Sequence, residues 1–125
     1  MPVIIEWFPE TNLPPEARNV VVRPVARVPY PSDLILSYDY YDPDGDPEQG
    51  SLIFWFGNGD HILSLNGLLR ASFTFTCVGD FWYAMVRPRD NKGLWGDWAI
   101  SNITWVTAPP VWGYRCPGVY PKAVQ

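Results

Sequence analysis

The chain has 125 residues, of which 47% are hydrophobic and 18% charged, and its net charge is −4 at pH 7. Such values are typical of one globular domain with a core of its own, and they exclude a disordered chain. Because the chain is acidic and has no Lys/Arg cluster, neither a nucleic acid nor a membrane is expected as a partner. No apolar run approaches the roughly 20 residues that span a bilayer, and the first residues, MPVIIEWFPE, lack the regions of a secretory signal.

Fourteen prolines and ten glycines interrupt the chain. They leave no window with helical spacing of apolar residues, so no helix longer than a single turn is expected. The segments between these breakers are rich in β-branched and aromatic residues, as strands are. These segments are 19–25, 33–41, 51–56, 60–64, 69–76, 82–87 and 101–106. Short strands at this spacing predict an all-β fold, an antiparallel β-sandwich of about seven strands.

Alternation within these segments predicts which side chains form the core. The inward set is expected to comprise Leu34, Leu36, Tyr38, Tyr40, Ile53, Trp55, Trp82, Ala84 and Val86. These side chains would interdigitate between two sheets about 10 Å apart. Between the third and fourth segments, Asn58 and Gly59 predict a type I′ hairpin turn, which needs positive φ at both central positions.

Two terminal segments differ from the rest of the chain in composition. Residues 1–17 and 107–125 combine prolines with large apolar side chains, so they are too apolar for solvated linkers and too proline-rich for interior strands. We therefore divide the chain into an N-terminal arm (1–17), a sandwich (18–106) and a C-terminal arm (107–125). The arms either fold back over the edges of the sandwich or dock on neighbouring subunits. In the second case their aromatic anchors are Trp7, Phe8, Trp112, Tyr114 and Tyr120.

The two cysteines, Cys77 and Cys116, have no metal-ligand spacing with each other or with the single histidine, His61. A disulfide that ties the C-terminal segment to the sandwich is one alternative, but pairing is not readable from sequence. We expect both cysteines to be free thiols.

Four stretches resemble immunoglobulin-like or fibronectin type III-like repeats: PEARNVVVRPVA, DLILSYDYYDPDGDPEQGSLIFWFGNG, GDFWYAMVRPRDNKG and SNITWV. Such repeats occur in prokaryotic surface proteins and in structural proteins of tailed phages. The resemblance covers residues 14–106 and implies that 34–41, 51–56, 82–87 and 101–106 are strands B, C, F and G. It also implies that Trp55 is the buried tryptophan of strand C, and that the domain is a non-catalytic module for adhesion, spacing or assembly.

The acidic loop over residues 42–48, DPDGDPE, is a candidate metal site. Asp42, Asp44 and Asp46 are dense enough to supply hard oxygen ligands to calcium, although their spacing does not match an EF-hand. The alternative is an Asp/Gly/Pro turn between strands B and C, in which the Asp side chains bond to nearby backbone. We adopt the turn and keep calcium as the alternative cofactor.

In a sandwich of this kind the B–C and F–G loops cluster at one end. The acidic loop is therefore expected to lie beside Trp95 and Trp98, with Arg89 and Lys92 nearby. Exposed tryptophans flanked by polar groups suit sugar stacking or a protein contact, whereas tryptophans turned inward would cap the core.

No enzyme activity is expected, because no nucleophile motif accompanies His61 and the short loops leave little room for a cleft. The expected function is that of a structural protein of a phage virion, a capsid decoration or tail protein made in the host cytoplasm. It would dock on neighbouring protein subunits through its arms, with a homo-oligomer as one form. The alternative is an adhesion module of a bacterial or archaeal surface protein, which binds protein or a host-surface glycan outside the cell.

Overall fold

The computed structural model describes residues 11–108, and these residues form two β-sheets. The strands are β1 Glu16–Arg23, β2 Ala26–Pro29, β3 Leu34–Tyr41, β4 Leu52–Gly57, β5 Asp60–His61, β6 Arg70–Ala71, β7 Phe81–Arg87, β8 Ala99–Ile100 and β9 Thr104–Thr107. Within residues 11–108 the helical elements are two single 3-10 turns, Leu63–Leu65 and Phe73–Phe75. The predicted all-β class is confirmed for this part of the chain, and none of its helices is long and apolar enough to cross a bilayer.

The two sheets differ in size and in strand direction. The smaller sheet has the order β1-β3-β6, and the larger has the order β2-β9-β7-β4-β5, with β8 paired to β7. The β2–β9 pair is parallel, whereas the other pairs are antiparallel. Strand β1 pairs with β3 in the smaller sheet, and β2 pairs with β9 in the larger one. The consecutive strands β1 and β2 therefore belong to different sheets.

The core lies between the sheets and is built from the inward residues of both. Its buried hydrophobic members are Val22, Val28, Tyr30, Leu34, Leu36, Ile53, Trp55, Leu65, Ala71, Trp82, Ala84, Val86 and Val106. The predicted inward positions of β4 and β7 are all in this set, as are Leu34 and Leu36, so the alternation is confirmed there. The indole N–H of Trp55 donates to the Leu68 carbonyl at 2.8 Å, which satisfies the polar end of a side chain with no exposed surface.

Tyr38 and Tyr40 depart from the predicted core. Both side chains are only partly buried and line a cleft that opens between the sheets. The reason is that β6 is short: it pairs with β3 at Leu34 and Ile35 alone, so among residues 11–108 no strand of the smaller sheet covers the cleft beyond them.

Two predicted strands are largely wrong. Segment 60–64 pairs as a strand only over Asp60–His61, and segment 69–76 only over Arg70–Ala71. The aromatic residues after Ala71 enter a 3-10 turn instead, because the Ser72 hydroxyl accepts a hydrogen bond from the backbone N–H of Thr74 and caps that turn.

Strand β2 was not predicted, because the prolines around it look like strand breakers. Edge strands tolerate proline, and β2 is an edge strand of the larger sheet. The hairpin turn between β4 and β5 is as predicted: φ is 54° at Asn58 and 88° at Gly59. Strand β1 begins at Glu16 and β9 ends at Thr107, each within two residues of the predicted sandwich boundaries.

The expectation of two free thiols is wrong for Cys77, which is disulfide-bonded. The cysteine lies in the loop that leads into β7, where its backbone N–H donates to the Asp80 carboxylate at 2.8 Å. The sequence contains one other cysteine, Cys116, which lies outside the described residues.

Candidate functional site

The residues predicted to bind partners fall into two groups. Trp7, Phe8, Trp112, Tyr114 and Tyr120 lie outside the described residues. Trp95, Trp98 and the acidic loop lie within them, at or near the end of the sandwich where β3 runs into β4. We call this end, formed by residues 42–50 and 88–98, the loop end.

The two loops of the loop end lie side by side and are bonded through their backbones. Gln49 N–H donates to the Arg89 carbonyl at 2.9 Å, and Asn91 N–H donates to the Pro47 carbonyl at 2.9 Å. A salt bridge of 3.2 Å between Lys92 Nζ and Asp46 Oδ1 adds a side-chain contact. The loops are thus joined to each other, as the expected clustering of the B–C and F–G loops requires.

The structure groups the carboxylates differently from the sequence-based trio. Asp42, Asp46 and Asp90 each offer an oxygen within 4.8 Å of the other two. Asp44 is not in this group, because its carboxylate accepts from the backbone N–H of Leu13 at 2.7 Å. Asp90 was missed because it belongs to the other loop, and only the pairing of the loops brings it to the acidic turn.

Asp90 is the most buried of these acids, with no exposed surface. Burial by itself raises the pKa of a carboxyl group. At Asp90 the hydrogen bonds from Leu94 N–H, the Asn12 side chain and Lys92 N–H, with the Lys92 charge, outweigh burial and lower its pKa. Asp90 is therefore a structural anion: its Oδ1 accepts from the backbone at 2.9 and 2.8 Å and organises the F–G loop.

The group has two possible chemical roles. Asp46 Oδ2 in the group, and Oδ1 of Asn12, whose side chain bonds to Asp90, are buried without a hydrogen-bond partner, and oxygens of this type are calcium ligands. Two contacts favour a turn instead. Asp42 Oδ1 accepts a hydrogen bond from Asp44 N–H at 2.7 Å, as in an Asx-type turn, and the ammonium group of Lys92 forms a salt bridge with Asp46. The donor set fits a cation, and the same set also fits a self-contained turn.

Trp95 and Trp98 take different positions. Trp95 is partly buried, and the guanidinium carbons of Arg87 and Arg89 lie 5.1 and 5.3 Å from its ring centroid. Trp98 is 37% exposed and lies 4.9 Å from the ring of Phe54, on the outer side of the larger sheet. Neither residue belongs to the core cluster.

Trp98 is part of a larger surface, which we call the outer aromatic face. It comprises the outward-pointing rings of the larger sheet: Phe54, Phe56, His61, Phe81, Tyr83, Trp98 and Trp105. The rings touch in sequence across the strands: Phe56 and Tyr83 stack at 5.0 Å and 7°, and Phe56 and Phe54 each pack on His61, at 5.2 and 4.2 Å. On the far side Phe81 contacts Trp105 at 5.3 Å, and Trp105 is 51% exposed.

The alternation in these strands predicted the core but not this surface. A signal was present: LIFWFG of β4 and FWYAMVR of β7 are apolar on both faces rather than on one. Near-continuous apolar runs are typical of strands covered on both sides. The larger sheet thus carries an apolar outer surface where a solvated sandwich carries polar side chains.

No protein-family model, curated protein or solved structure matches the chain. Its function is therefore inferred below from its own residues and their geometry.

Proposed function

We propose that the protein is a non-catalytic structural or binding protein that docks on neighbouring protein subunits of a larger assembly. The observation that carries this proposal is the outer aromatic face. Large contiguous apolar patches on soluble proteins are uncommon and mark interaction sites. Aromatic rings dominate interface energetics, because they bury a large area at a small cost in side-chain entropy.

The face is suited to a protein partner by its composition. Beside its rings lies the exposed Ile100, 58% exposed and paired with Met85, and at its edge the exposed polar Asp97 precedes Trp98. A centre of aromatic rings with polar residues at the edge is the arrangement of a protein-protein interface. The partner we propose is accordingly a folded subunit with an apolar surface patch.

We further propose that the fold is immunoglobulin-like. The order β1-β3-β6 and the order β9-β7-β4-β5 correspond to A-B-E and G-F-C-C′ in such domains, in which G, F and C share a sheet. In this assignment the outer aromatic face is the outer side of the G-F-C sheet. Folds of this type carry many unrelated functions, so the correspondence supports the architecture alone.

The specific assembly that we propose is a tailed-phage virion, in which the chain acts as a capsid decoration or tail protein. The terminal arms would add to the docking surface by burying Trp7, Phe8, Trp112, Tyr114 and Tyr120 on neighbouring subunits. An arm that orders on docking loses conformational freedom, which offsets part of its contact energy. Repetition of the contact on a symmetric shell would raise the overall binding strength through avidity.

The docking face is tested with the double variant Trp98→Ala/Trp105→Ala, because both side chains are exposed and leave the core intact. Light scattering after size-exclusion chromatography and co-purification with virion particles measure association. We expect the affinity of the variant for its partner to fall at least about tenfold, because removing aromatic hot-spot side chains from an interface commonly costs that much. Its melting temperature should stay within a few degrees of that of the wild type. Leu63→Ala is the control, because Leu63 is 70% exposed and lies outside the face. Equal association of all three proteins would contradict the proposal.

The alternative is a glycan-binding adhesion module. It is favoured by the two exposed tryptophans of the face, Trp98 and Trp105, since indole faces stack on sugar rings and Asp97 beside Trp98 offers a hydrogen-bond acceptor. A glycan array separates the two functions. Binding that is lost in the double variant supports adhesion, whereas association with particles and no glycan signal supports docking.

A further inference from the structure

The cleft beside β3 has the size and the floor of a small-molecule site. Its volume is about 440 Å³, and sites for small molecules commonly occupy about 300–1,000 Å³. The floor is apolar, because Leu36 and Ile53 are only 2% and 7% exposed. Ile53 lies on the inner side of β4, whereas the next residue, Phe54, belongs to the outer aromatic face. The cleft is therefore separate from the proposed docking surface.

The cleft is apolar at one end and acidic at the other. At the first end Leu36 N–H donates to the Leu69 carbonyl at 2.8 Å, which places the half-exposed Leu69 at the rim. Strand β3 runs from there towards the loop end, where the Tyr38 hydroxyl donates to Glu48 Oε2 at 2.5 Å. A molecule in the cleft would thus meet apolar surface along its body and a carboxylate at its head.

The acidic end carries negative charge. The lining of the cleft, all of it within residues 11–108, contains no basic residue, and Lys92 is already paired with Asp46 at 3.2 Å. Glu48 is part of the lining, and the carboxylate of Asp42 lies 3.3 Å from the Tyr40 hydroxyl. Burial, followed by the charges of nearby carboxylates, raises the pKa of that hydroxyl. An anion would be repelled here, whereas a cation would be attracted.

The two tyrosines add a preference for a ligand that donates hydrogen bonds. Both hydroxyls already donate, that of Tyr38 to Glu48 and that of Tyr40 to the Asp46 carbonyl at 3.1 Å, so each is left with acceptor capacity. The Glu48 carboxylate is itself an acceptor alone. The phenol rings line the cleft, and the faces of aromatic rings attract cations. An ammonium group satisfies these conditions together, because it carries positive charge and only donates.

We propose that the cleft binds a small organic amine, whose ammonium group donates to Glu48 and to the hydroxyls of Tyr38 and Tyr40, and whose apolar body lies on Ile53 and Leu69. The contact with Glu48 is the strongest, because hydrogen bonds between charged groups are about twice as strong as neutral ones. This binding activity goes beyond the proposed docking and requires no partner protein.

The test titrates the wild-type protein at neutral pH with three probes that share one apolar body: phenylbutylamine, phenylbutanol and phenylbutyrate. NMR shifts of the backbone amides measure each dissociation constant and locate the contact. We expect the amine to shift Tyr38, Ile53, Gly67 and Leu69 saturably, with a dissociation constant at least about tenfold below that of the alcohol. The carboxylate probe should give no saturable shift. Equal affinities for amine and alcohol, or shifts of the amine complex away from the cleft, would overturn the inference.

Two variants that each remove one negative charge, Glu48→Gln and Asp39→Asn, assign the selectivity. Asp39 lies on β3 between the two tyrosines in sequence, but its exposed carboxylate accepts from the Asn19 side chain on the opposite face of the strand. We expect Glu48→Gln to weaken binding of the amine at least about tenfold and to leave the alcohol within about threefold of wild type. Asp39→Asn should leave both probes within about threefold.

Circular dichroism checks that both variants fold, and the three probes on the wild type decide the question if Glu48→Gln does not. Equal losses in the two variants, or unchanged binding of the amine to a folded Glu48→Gln, would overturn the inference. The docking proposal is tested separately, because particle association of Trp98→Ala/Trp105→Ala does not depend on the cleft.

Discussion

At the scale of single residues, Asp90 organises the loop end and makes its stability depend on pH. The pKa of Asp90 lies below the ordinary value of 3.8. A carboxyl group with a lowered pKa in the folded state stabilises the fold above its unfolded pKa, and this stabilisation is lost as pH falls through the folded pKa. We therefore expect the protein to lose stability in acid below the ordinary Asp range.

The variant Asp90→Asn tests this dependence. It should melt at a lower temperature than wild type at pH 7, and the difference should shrink below the ordinary Asp pKa, because the wild-type carboxylate then becomes protonated. Thermal melts across pH measure it. Asp97→Asn is the control, since Asp97 is an exposed aspartate of the same loop. A constant difference at every pH would contradict an electrostatic role.

Lys92 is the second residue that decides the chemistry of the loop end. Its pKa is raised by the hydrogen bond and charge of Asp46, so the ion pair is favourable until pH rises through that raised pKa. In Lys92→Ala we expect a small loss of stability that calcium restores, because a cation can then meet the three carboxylates. The wild type should gain little stability from calcium. Melting temperatures with and without calcium measure this, and strong stabilisation of the wild type would assign a calcium site instead.

At the scale of elements, the segment before β1 packs tightly on the F–G loop. A Cβ added at Gly96 would lie 1.9 Å from the Pro15 carbonyl oxygen, which is backbone, and 2.9 Å from Pro88. Gly96→Ala must therefore move the entry to β1, and we expect a loss of about 1–3 kcal/mol in unfolding free energy, as for other overpacked sites. Urea unfolding measures it, with Asp97→Ala as the neighbouring control. A loss of unfolding free energy equal within error to that of the control would show that the segment before β1 moves aside without a measurable cost.

Within single elements, part of the core could be predicted from the sequence. Alternation in LILSYDYY predicted Leu34 and Leu36 in the core because burial follows the pleat wherever both sheets are present. It failed at Tyr38 and Tyr40, because the length of the neighbouring strand β6 is a tertiary property that no local pattern encodes. Strand β2 was missed for a related reason: its place at a sheet edge, where proline is tolerated, depends on pairing with β9, far along the chain.

At the scale of the whole molecule, the two sheets present different surfaces. The outer aromatic face belongs to the larger sheet, whereas the cleft lined by Tyr38 and Tyr40 opens beside the smaller one. The outer aromatic face was not predicted, because the residues whose chemistry is visible in the sequence are the acids and tryptophans of residues 42–48 and 95–98.

The parallel pairing of β2 with β9 has a mechanical consequence. Strand β2 follows the first described strand, β1, while β9 is the last described strand, and β2 and β9 run in the same direction. Tension applied between the start of β2 and the end of β9 would pull the two strands in opposite directions along their length. The ladder between Ala26–Pro29 and Thr104–Thr107 would then be loaded in shear, so that its hydrogen bonds would have to break together rather than one at a time. Such tension would thus be resisted by the whole ladder together, beside the hydrogen bonds that join Val22 of β1 to Asn102.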